Sequence, residues 1–254
     1  MKRAITAVLF LILLLSLVAC GGEEASATEG LSFFMMGERT YTVELGQATS
    51  ATEIVIPDTY LGIRVAVIGR FAPTHQKNEV LARVTVPAGV DTVGNSAFLD
   101  CTALESVTFL EGSALRTVGR DAFRGCTSLS SITLPEGVEV IGTSAFFGCT
   151  ALREIAIPAG VSTVPMHAFT DCTALTAVTV GEGVVGIGYA AFSGCTALSS
   201  ITLPASITYL GDSAFSGCTA LRDVYFTGSE AEWAAVGGRD GLPAGCTVHI
   251  GQEK

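Results

Sequence analysis

An internal repeat of 23 residues constrains the fold of this chain more than any other feature. Four consecutive segments share this length and one pattern, and they begin at Cys126, Cys149, Cys172 and Cys195. The segment from Cys101 is two residues longer, and residues 81–100 fit the same template. Residues 54–57 open an irregular earlier copy, in which Asn78 stands at the cysteine position. One repeat cannot bury its apolar face alone, whereas stacked repeats form a continuous core, so the sequence predicts a solenoid.

Each repeat contains the signals of a short strand, a turn and a helical turn. In the first of the four segments, Ile132 and Leu134 alternate with polar residues, which is typical of a strand with one buried face. Ala145, Phe146 and Cys149 then have the spacing of one side of a helical turn. We therefore expect a right-handed, α/β-type solenoid of mostly short parallel strands with short helical turns.

Two columns of residues follow from this register. The aromatic column consists of Phe98, Phe123, Phe146, Phe169, Phe192 and Phe215. The cysteine column consists of Cys101, Cys126, Cys149, Cys172, Cys195 and Cys218. One phenylalanine per turn at a fixed register is typical of a core, so we expect these rings to stack inside the solenoid rather than to bind a ligand.

The cysteine column allows three interpretations. Neighbouring strands lie about 4.8 Å apart, so adjacent cysteines could just meet disulfide geometry, and export would permit the bond. Zinc is disfavoured because the sequence has no C-x-x-C pair. Asn78 fills the same slot, and a small buried side chain explains the column better than pairing does. The sequence therefore favours free, buried thiols, with disulfides as the alternative, and Cys246 falls outside the register.

The first 20 residues predict export. Lys2 and Arg3 precede an apolar run over residues 4–18, which is shorter than the roughly 20 residues that a transmembrane helix needs. Residues 17–20 (LVAC) resemble the lipobox of bacterial lipoproteins. This resemblance implies diacylglycerol on the Cys20 sulfur and cleavage before Cys20, so that the chain is anchored to the membrane. The alternative is an ordinary secretory signal with an incidental cysteine.

The composition then divides the chain into an anchor, a tether and one repetitive unit. Residues 1–19 are assigned to a lipoprotein signal peptide, and residues 20–40 to the lipidated cysteine and a flexible tether without apolar periodicity. Residues 41–250 form the solenoid, and residues 227–250 form its C-terminal cap, which a solenoid needs to cover its last rung.

The cap has its own sequence signals. Ser229 and Glu232 have the spacing of a capping box at the start of a short helix. We expect Trp233 to lie across the last rung, and Val248 and Ile250 to form one final strand because they follow Val224 and Phe226 by 24 residues.

The recurrent motifs I-G-x-x-A-F-x-G-C-T-x-L and I-T-L-P-x-x-V resemble the BspA-like leucine-rich repeat family of bacterial cell-surface proteins. The resemblance covers residues 41–250. It implies a leucine-rich repeat solenoid that is exported and displayed at the cell surface. Some members of the family bind host matrix glycoproteins and act as adhesins. The family has no shared catalytic residues, so the resemblance specifies the fold better than the ligand.

Charge and motifs give little support to other chemistry. The net charge is −10, and it becomes −12 without residues 1–19, which argues against nucleic acid because phosphate binding requires clustered Lys and Arg. Residues 181–186 match G-x-G-x-x-G but lack the helix of a βαβ unit. His75, His167 and His249 lie in different rungs without metal-ligand spacing. We therefore expect no enzyme activity, no cofactor and no metal.

The outward strand positions supply candidate binding residues. One outward column is mostly threonine, which is either an extended binding face or simply a solvated sheet of good strand formers. We expect a site where the pattern breaks, on the strand face and in the basic insertion over residues 61–78, which includes His75. The candidate residues are Arg64, Arg70, Lys77, Arg83, Arg153, Glu154, Arg222, Asp223 and Tyr225.

Three functions remain from the sequence. The first is a lipid-anchored binding module or adhesin at the cell surface, with a host matrix glycoprotein or a glycan as partner. The second is a structural or assembly component of the envelope without a soluble ligand. The third, an enzyme, has no supporting constellation of residues.

Overall fold

A computed structural model describes residues 27–36, 39–71 and 77–252. The predicted signal peptide and Cys20 lie outside the described residues, so both stay predictions. Within the described ranges, no helix is long and apolar enough to cross a bilayer.

Short strands dominate the described chain. In chain order they are β1 (Ser32–Met36), β2 (Thr40–Glu44), β3 (Glu53–Val55), β4 (Thr59–Tyr60), β5 (Ile63–Ile68), β6 (Arg83–Val86), β7 (Thr92–Val93), β8 (Ser106–Phe109), β9 (Thr117–Val118), β10 (Val140–Ile141), β11 (Glu154–Ile157), β12 (Thr163–Val164), β13 (Ala177–Val180), β14 (Gly186–Ile187), β15 (Ser200–Leu203), β16 (Tyr209–Leu210), β17 (Asp223–Phe226) and β18 (Thr247–Ile250). The helix α1 (Glu230–Ala235) and a 3-10 turn at Arg239–Gly241 follow β17.

The strands stack in parallel on two faces of a solenoid. The strand face carries β3, β6 and β8 in one sheet and β11, β13, β15, β17 and β18 in another. The second face carries β5, β7, β9 and β10 in one sheet and β12, β14 and β16 in another. Sequential repeats therefore lie side by side with partners 23 residues apart, such as Glu154 and Ala177, which confirms the predicted solenoid and its spacing.

The register of the strand face agrees with the predicted columns. Arg83 pairs with Ser106, and Ser200 pairs with Asp223 in the neighbouring strand. The threonine column shows the same pairing within each sheet, with Thr85 beside Thr108 and Thr202 beside Tyr225. Because side chains alternate along a strand, these pairings put every second residue outside and its neighbours in the core.

One predicted strand is absent. The alternation at Ile132 and Leu134 predicts a strand, but the segment 131–134 makes only an isolated bridge between Ser131 and Glu154. Both apolar side chains are still buried. The preceding repeat is two residues longer, and its wider loop over residues 110–114 separates β8 from the next rung. A cavity of about 410 Å³ opens between β8 and this segment.

The aromatic column forms the centre of the core, as the sequence predicts. From Phe98 to Phe215, successive rings are stacked with centroids 5.2 to 5.6 Å apart, and all are fully buried. Phe71 extends the column by one more ring, at 5.3 Å from Phe98. The sequence does not reveal Phe71 because it lies in the irregular first copy.

The cysteine column contains free thiols, which confirms the favoured interpretation. Cys149 is buried, and its Sγ donates to the Phe123 carbonyl at 3.1 Å, one repeat earlier. Asn78 also donates to a phenylalanine carbonyl, from its Nδ2 to Phe71 at 3.0 Å, but Phe71 lies in its own turn and not in the preceding one. Burial raises the pKa of the Cys172 thiol to about 12, so this thiol is protonated and unreactive at neutral pH.

The folded unit begins before residue 41, the start that the sequence predicts. Strand β1 pairs antiparallel with β2, and Phe33 stacks on Tyr60 at 4.1 Å between centroids. Thr28 is also fixed, because its N–H donates to the Val55 carbonyl and its Oγ1 accepts from the Val55 N–H. Residues 27–36 therefore belong to the folded unit and not to the tether that the sequence predicts.

The C-terminal cap agrees with its prediction in each element. Ser229 accepts from the Glu232 N–H and donates its own N–H back to the Glu232 carboxylate, so the capping box is complete. The bonds from Ser229 also lower the pKa of Glu232. Trp233 is buried against Phe226, with ring centroids 5.1 Å apart, and β18 pairs with β17 as the last strand.

Candidate binding surfaces

The strand face is a polar surface of short side chains interrupted by a few charges. Arg153 and Glu154 are adjacent, exposed residues at the start of β11. Arg83 is also exposed, and its guanidinium forms an ion pair with Glu53 on β3 at 3.1 Å. The exposed residues of this face are therefore mainly Thr, Ser and Ala, with charged groups at single positions.

The C-terminal end of the strand face brings three polar side chains together. His249 Nε2 lies 2.7 Å from Asp223 Oδ1, and the His249 ring stacks on Tyr225 at 4.7 Å between centroids. Arg222 turns away and donates to the Thr219 and Leu221 carbonyls. Asp223 and Tyr225 are predicted site residues. His249 is not among them, because the sequence suggests it only as a possible metal ligand. Its register with Tyr225 followed from the predicted final strand.

The predicted basic residues of the insertion do not form one patch with Arg83. Arg64 lies in β5 on the second face, and Arg83 lies in β6 on the strand face. The Arg64 guanidinium is held by the Asp91 carboxylate at 2.7 Å and by the Gly89 carbonyl at 2.9 Å. Arg70 and Lys77 are exposed at the end of the insertion. His75 lies outside the described residues.

A row of ring and guanidinium contacts crosses consecutive turns at the edge of the second face. The Arg124 guanidinium lies 4.3 Å from the centroid of the Phe147 ring. Phe147 contacts His167 edge-on at 6.4 Å, and His167 contacts Tyr189 edge-on at 5.3 Å. We call Arg124, Phe147, His167 and Tyr189 the aromatic ladder. The sequence pattern does not reveal it, because its members occupy three different positions of the repeat.

The aromatic ladder is partly exposed: Arg124, Phe147 and His167 are half-buried, and Tyr189 is exposed. Tyr189 is 49% exposed, and the neighbouring Met166 is 45% exposed. Several other repeats carry small polar residues at the equivalent positions, namely Ser193 and Ser216 for Phe147, Ser144 and Ser213 for His167, and Thr143 and Asp212 for Tyr189. Arg124 itself stands at the Phe147 position of its repeat, and Met166 stands at the Tyr189 position. Exposed aromatic and arginine side chains in one area are typical of interfaces, so the aromatic ladder is the strongest candidate for a binding surface.

The second face carries further exposed apolar groups. Val140, Val185 and Tyr209 are each more than a third exposed. The Tyr209 ring lies over Gly186, where a Cβ would overlap it, and its hydroxyl lies 3.4 Å from Thr163 Oγ1. In contrast, strands β11, β13, β15 and β17 carry no large apolar side chain that is exposed.

The G-x-G-x-x-G match has a packing explanation. A Cβ on Gly181 would lie 2.6 Å from the Ala159 backbone nitrogen, and a Cβ on Gly183 would overlap the Ala159 carbonyl. These glycines therefore allow neighbouring turns to approach closely. Among residues 27–36, 39–71 and 77–252, no group of three His, Cys, Asp or Glu side chains could hold a metal ion.

Comparison with known proteins agrees with the solenoid geometry. The model of the BspA type leucine rich repeat region matches six copies, over residues 70–195 and 139–232. No curated protein matches the sequence. A leucine rich cell surface protein from Faecalibacterium prausnitzii A2-165 is 31% identical, with a TM-score of 0.67. The match covers 81% of this chain but only 55% of that protein.

A leucine-rich repeat protein from T. pallidum gives the same TM-score of 0.67 at 25% identity. That match covers 78% of this chain and 91% of the T. pallidum protein. The family model spans more than half of the chain, and both structures share its fold. The chain belongs to the BspA-type leucine-rich repeat family.

Proposed function

We propose that the protein is exported, is anchored by lipid on Cys20, and binds an extracellular glycoprotein or glycan at the bacterial cell surface. The aromatic ladder is the observation that carries this proposal. Its Tyr189 ring is exposed, its other members are half-buried, its neighbouring members contact one another, and several other repeats have small polar residues at these positions.

The wider context supports a binding scaffold. Solenoids bind partners along extended surfaces that run across several repeats, and the aromatic ladder spans four consecutive turns. The F. prausnitzii relative is a cell surface protein, although this chain spans only 55% of its length. The lipobox and apolar run of residues 1–20 support the same location.

Two variants distinguish binding by the aromatic ladder from binding by the strand face. Each substitution introduces a residue that another repeat has at the same position, so that the fold is kept. The ladder variant is F147S/H167S/Y189T, and the strand-face variant is R153S/E154S/Y225T. Binding to immobilised fibrinogen, fibronectin, mucin and acidic glycans is measured for the wild type and both variants. We expect the ladder variant to lose at least about 30-fold in affinity, since truncating one hot-spot side chain costs about 2 kcal/mol.

The strand-face variant is the matched control and should bind within about twofold of the wild type. Loss of binding in this variant, with the ladder variant unaffected, would move the site to the strand face and contradict the proposal. A folded wild type that binds none of the four probes would also contradict it. Co-purification with envelope proteins would then identify the alternative function, a structural component of the envelope.

A further inference from the structure

The N-terminal end of the solenoid presents large apolar side chains to solvent. Phe34, Met35 and Met36 in β1 are each more than half exposed, and Leu61 is 75% exposed. The stack of Phe33 on Tyr60 joins β1 to the hairpin of β4 and β5. The N-terminal apolar patch consists of Phe34, Met35, Met36, Tyr60 and Leu61.

Leu61 is not explained by its turn or by the core. Tyr60 pairs with Ile63, so Leu61 and Gly62 are the central residues of a two-residue hairpin turn. Both have positive φ, 52° and 77°, which is typical of a type I′ turn. This turn favours Asn, Asp or Gly, because the left-handed conformation crowds a Cβ. A leucine that is neither favoured by the turn nor buried indicates an apolar contact outside the chain.

The predicted anchor lies close to this end of the solenoid. Thr28 is held to Val55 by two hydrogen bonds, so the folded unit is already fixed at Thr28. Eight residues lead from Cys20 to Thr28, and they span at most about 29 Å when fully extended. Lipid on Cys20 therefore keeps the first strands within a short distance of the bilayer surface.

We propose that the N-terminal apolar patch docks on the lipid bilayer. The exposed side chains of β1, with Phe34 and Met36 on one side of the strand and Met35 on the other, enter the boundary between headgroups and acyl chains together with Leu61. The patch has no charged member, so it fits a neutral lipid surface. The aromatic ladder begins several repeats further along the solenoid and stays free for its partner. The orientation rests on the Cys20 anchor of the proposed function.

The test uses lipid-free protein, so that it is separate from the test of lipidation. The lipid-free protein used in this test begins at Gly21, so it contains all of the residues whose contacts are described above. Co-sedimentation with phosphatidylcholine vesicles is measured for the wild type, for F34S/M35T/M36S and for L61N. We expect binding to fall by at least about tenfold in the triple variant and by a smaller factor in L61N.

Two controls make the result specific. L61N suits the type I′ turn, so it should bind vesicles less while its thermal midpoint stays equal or rises. V140T/V185T removes exposed apolar surface from the second face and introduces the threonines that other repeats have at these positions. Its vesicle binding should equal that of the wild type.

Three outcomes would overturn the inference. They are a wild type that does not sediment with vesicles, equal sedimentation of the wild type and the triple variant, or an equal loss in V140T/V185T. A dimer of the lipid-free protein that only the triple variant abolishes would instead assign the patch to a second copy of this chain. None of these outcomes bears on ligand binding by the aromatic ladder.

Discussion

At the residue scale, the cysteine column illustrates how a solenoid selects a small buried donor. Each thiol from Cys126 to Cys218 lies 3.1 to 3.2 Å from a phenylalanine carbonyl of the neighbouring turn. Asn78 donates through its amide to the Phe71 carbonyl, which belongs to its own turn. The position therefore requires a compact side chain that donates a hydrogen bond, and sulfur chemistry is not needed to explain it.

Alkaline pH should weaken the fold through these thiols. Burial raises the pKa of Cys101 and of Cys172 from 9.0 to about 12. The unfolded chain therefore loses these protons first, so the stabilisation is complete below about pH 9 and is lost as the pH rises toward about 12. Each thiol should lower the free energy of unfolding by about 1.4 kcal/mol between pH 8 and about pH 10.

Urea unfolding under reducing conditions at the two pH values measures this loss. C101A/C172A is the control, because it removes two of the titrating thiols and should reduce the pH-dependent difference by about 2.8 kcal/mol. An unchanged difference in that variant would show that other groups cause the alkaline destabilisation.

At the element scale, the gap between β8 and residues 131–134 comes from the longer repeat. Comparison with the following repeat places the extra residues at Ser113 and Ala114. The backbone of 131–134 forms one isolated bridge, whereas β11 is paired over its full length with β13. Amides without ladder bonds exchange with solvent faster than amides of a paired strand.

Deletion of Ser113 and Ala114 should close the gap and extend one sheet over the strand face. Hydrogen exchange of residues 131–134 should be fast in the wild type and about tenfold or more slower in the deletion variant. The amides of β11 are the internal control and should not change. Equally fast exchange of residues 131–134 in both proteins would mean that the loop length does not cause the gap.

The sequence predicts those elements that repeat, and it misses those that depend on neighbours. Phe146 and Cys149 recur at one offset, so their columns and burial could be predicted from spacing alone. The gap could not be predicted, because Ile132 and Leu134 have the strand pattern and the cause lies in the preceding repeat. The contact of His167 with Tyr189 joins two different repeat positions, so no single column reveals it.

At the scale of the whole molecule, a solenoid is stable because each turn covers its neighbour, so both ends need a cover. The N-terminal end is closed by the antiparallel strands β1 and β2, which leave apolar groups exposed. The C-terminal end is closed by α1 and β18, and there the apolar Trp233 is buried. The C-terminal end is therefore covered by the chain itself, whereas the N-terminal end needs an external surface.

Removal of the C-terminal cover should destabilise the solenoid from that end. W233A removes a buried ring that contacts Phe226 and should cost about 3–5 kcal/mol. Because coupling in a solenoid is mainly between neighbouring turns, amide exchange should accelerate most in β17 and β15 and least in β8. W233F keeps a ring over Phe226 and should lose less stability. Equal acceleration in all strands would instead show that the repeats unfold as one cooperative unit, and that Trp233 stabilises distant turns as strongly as its own.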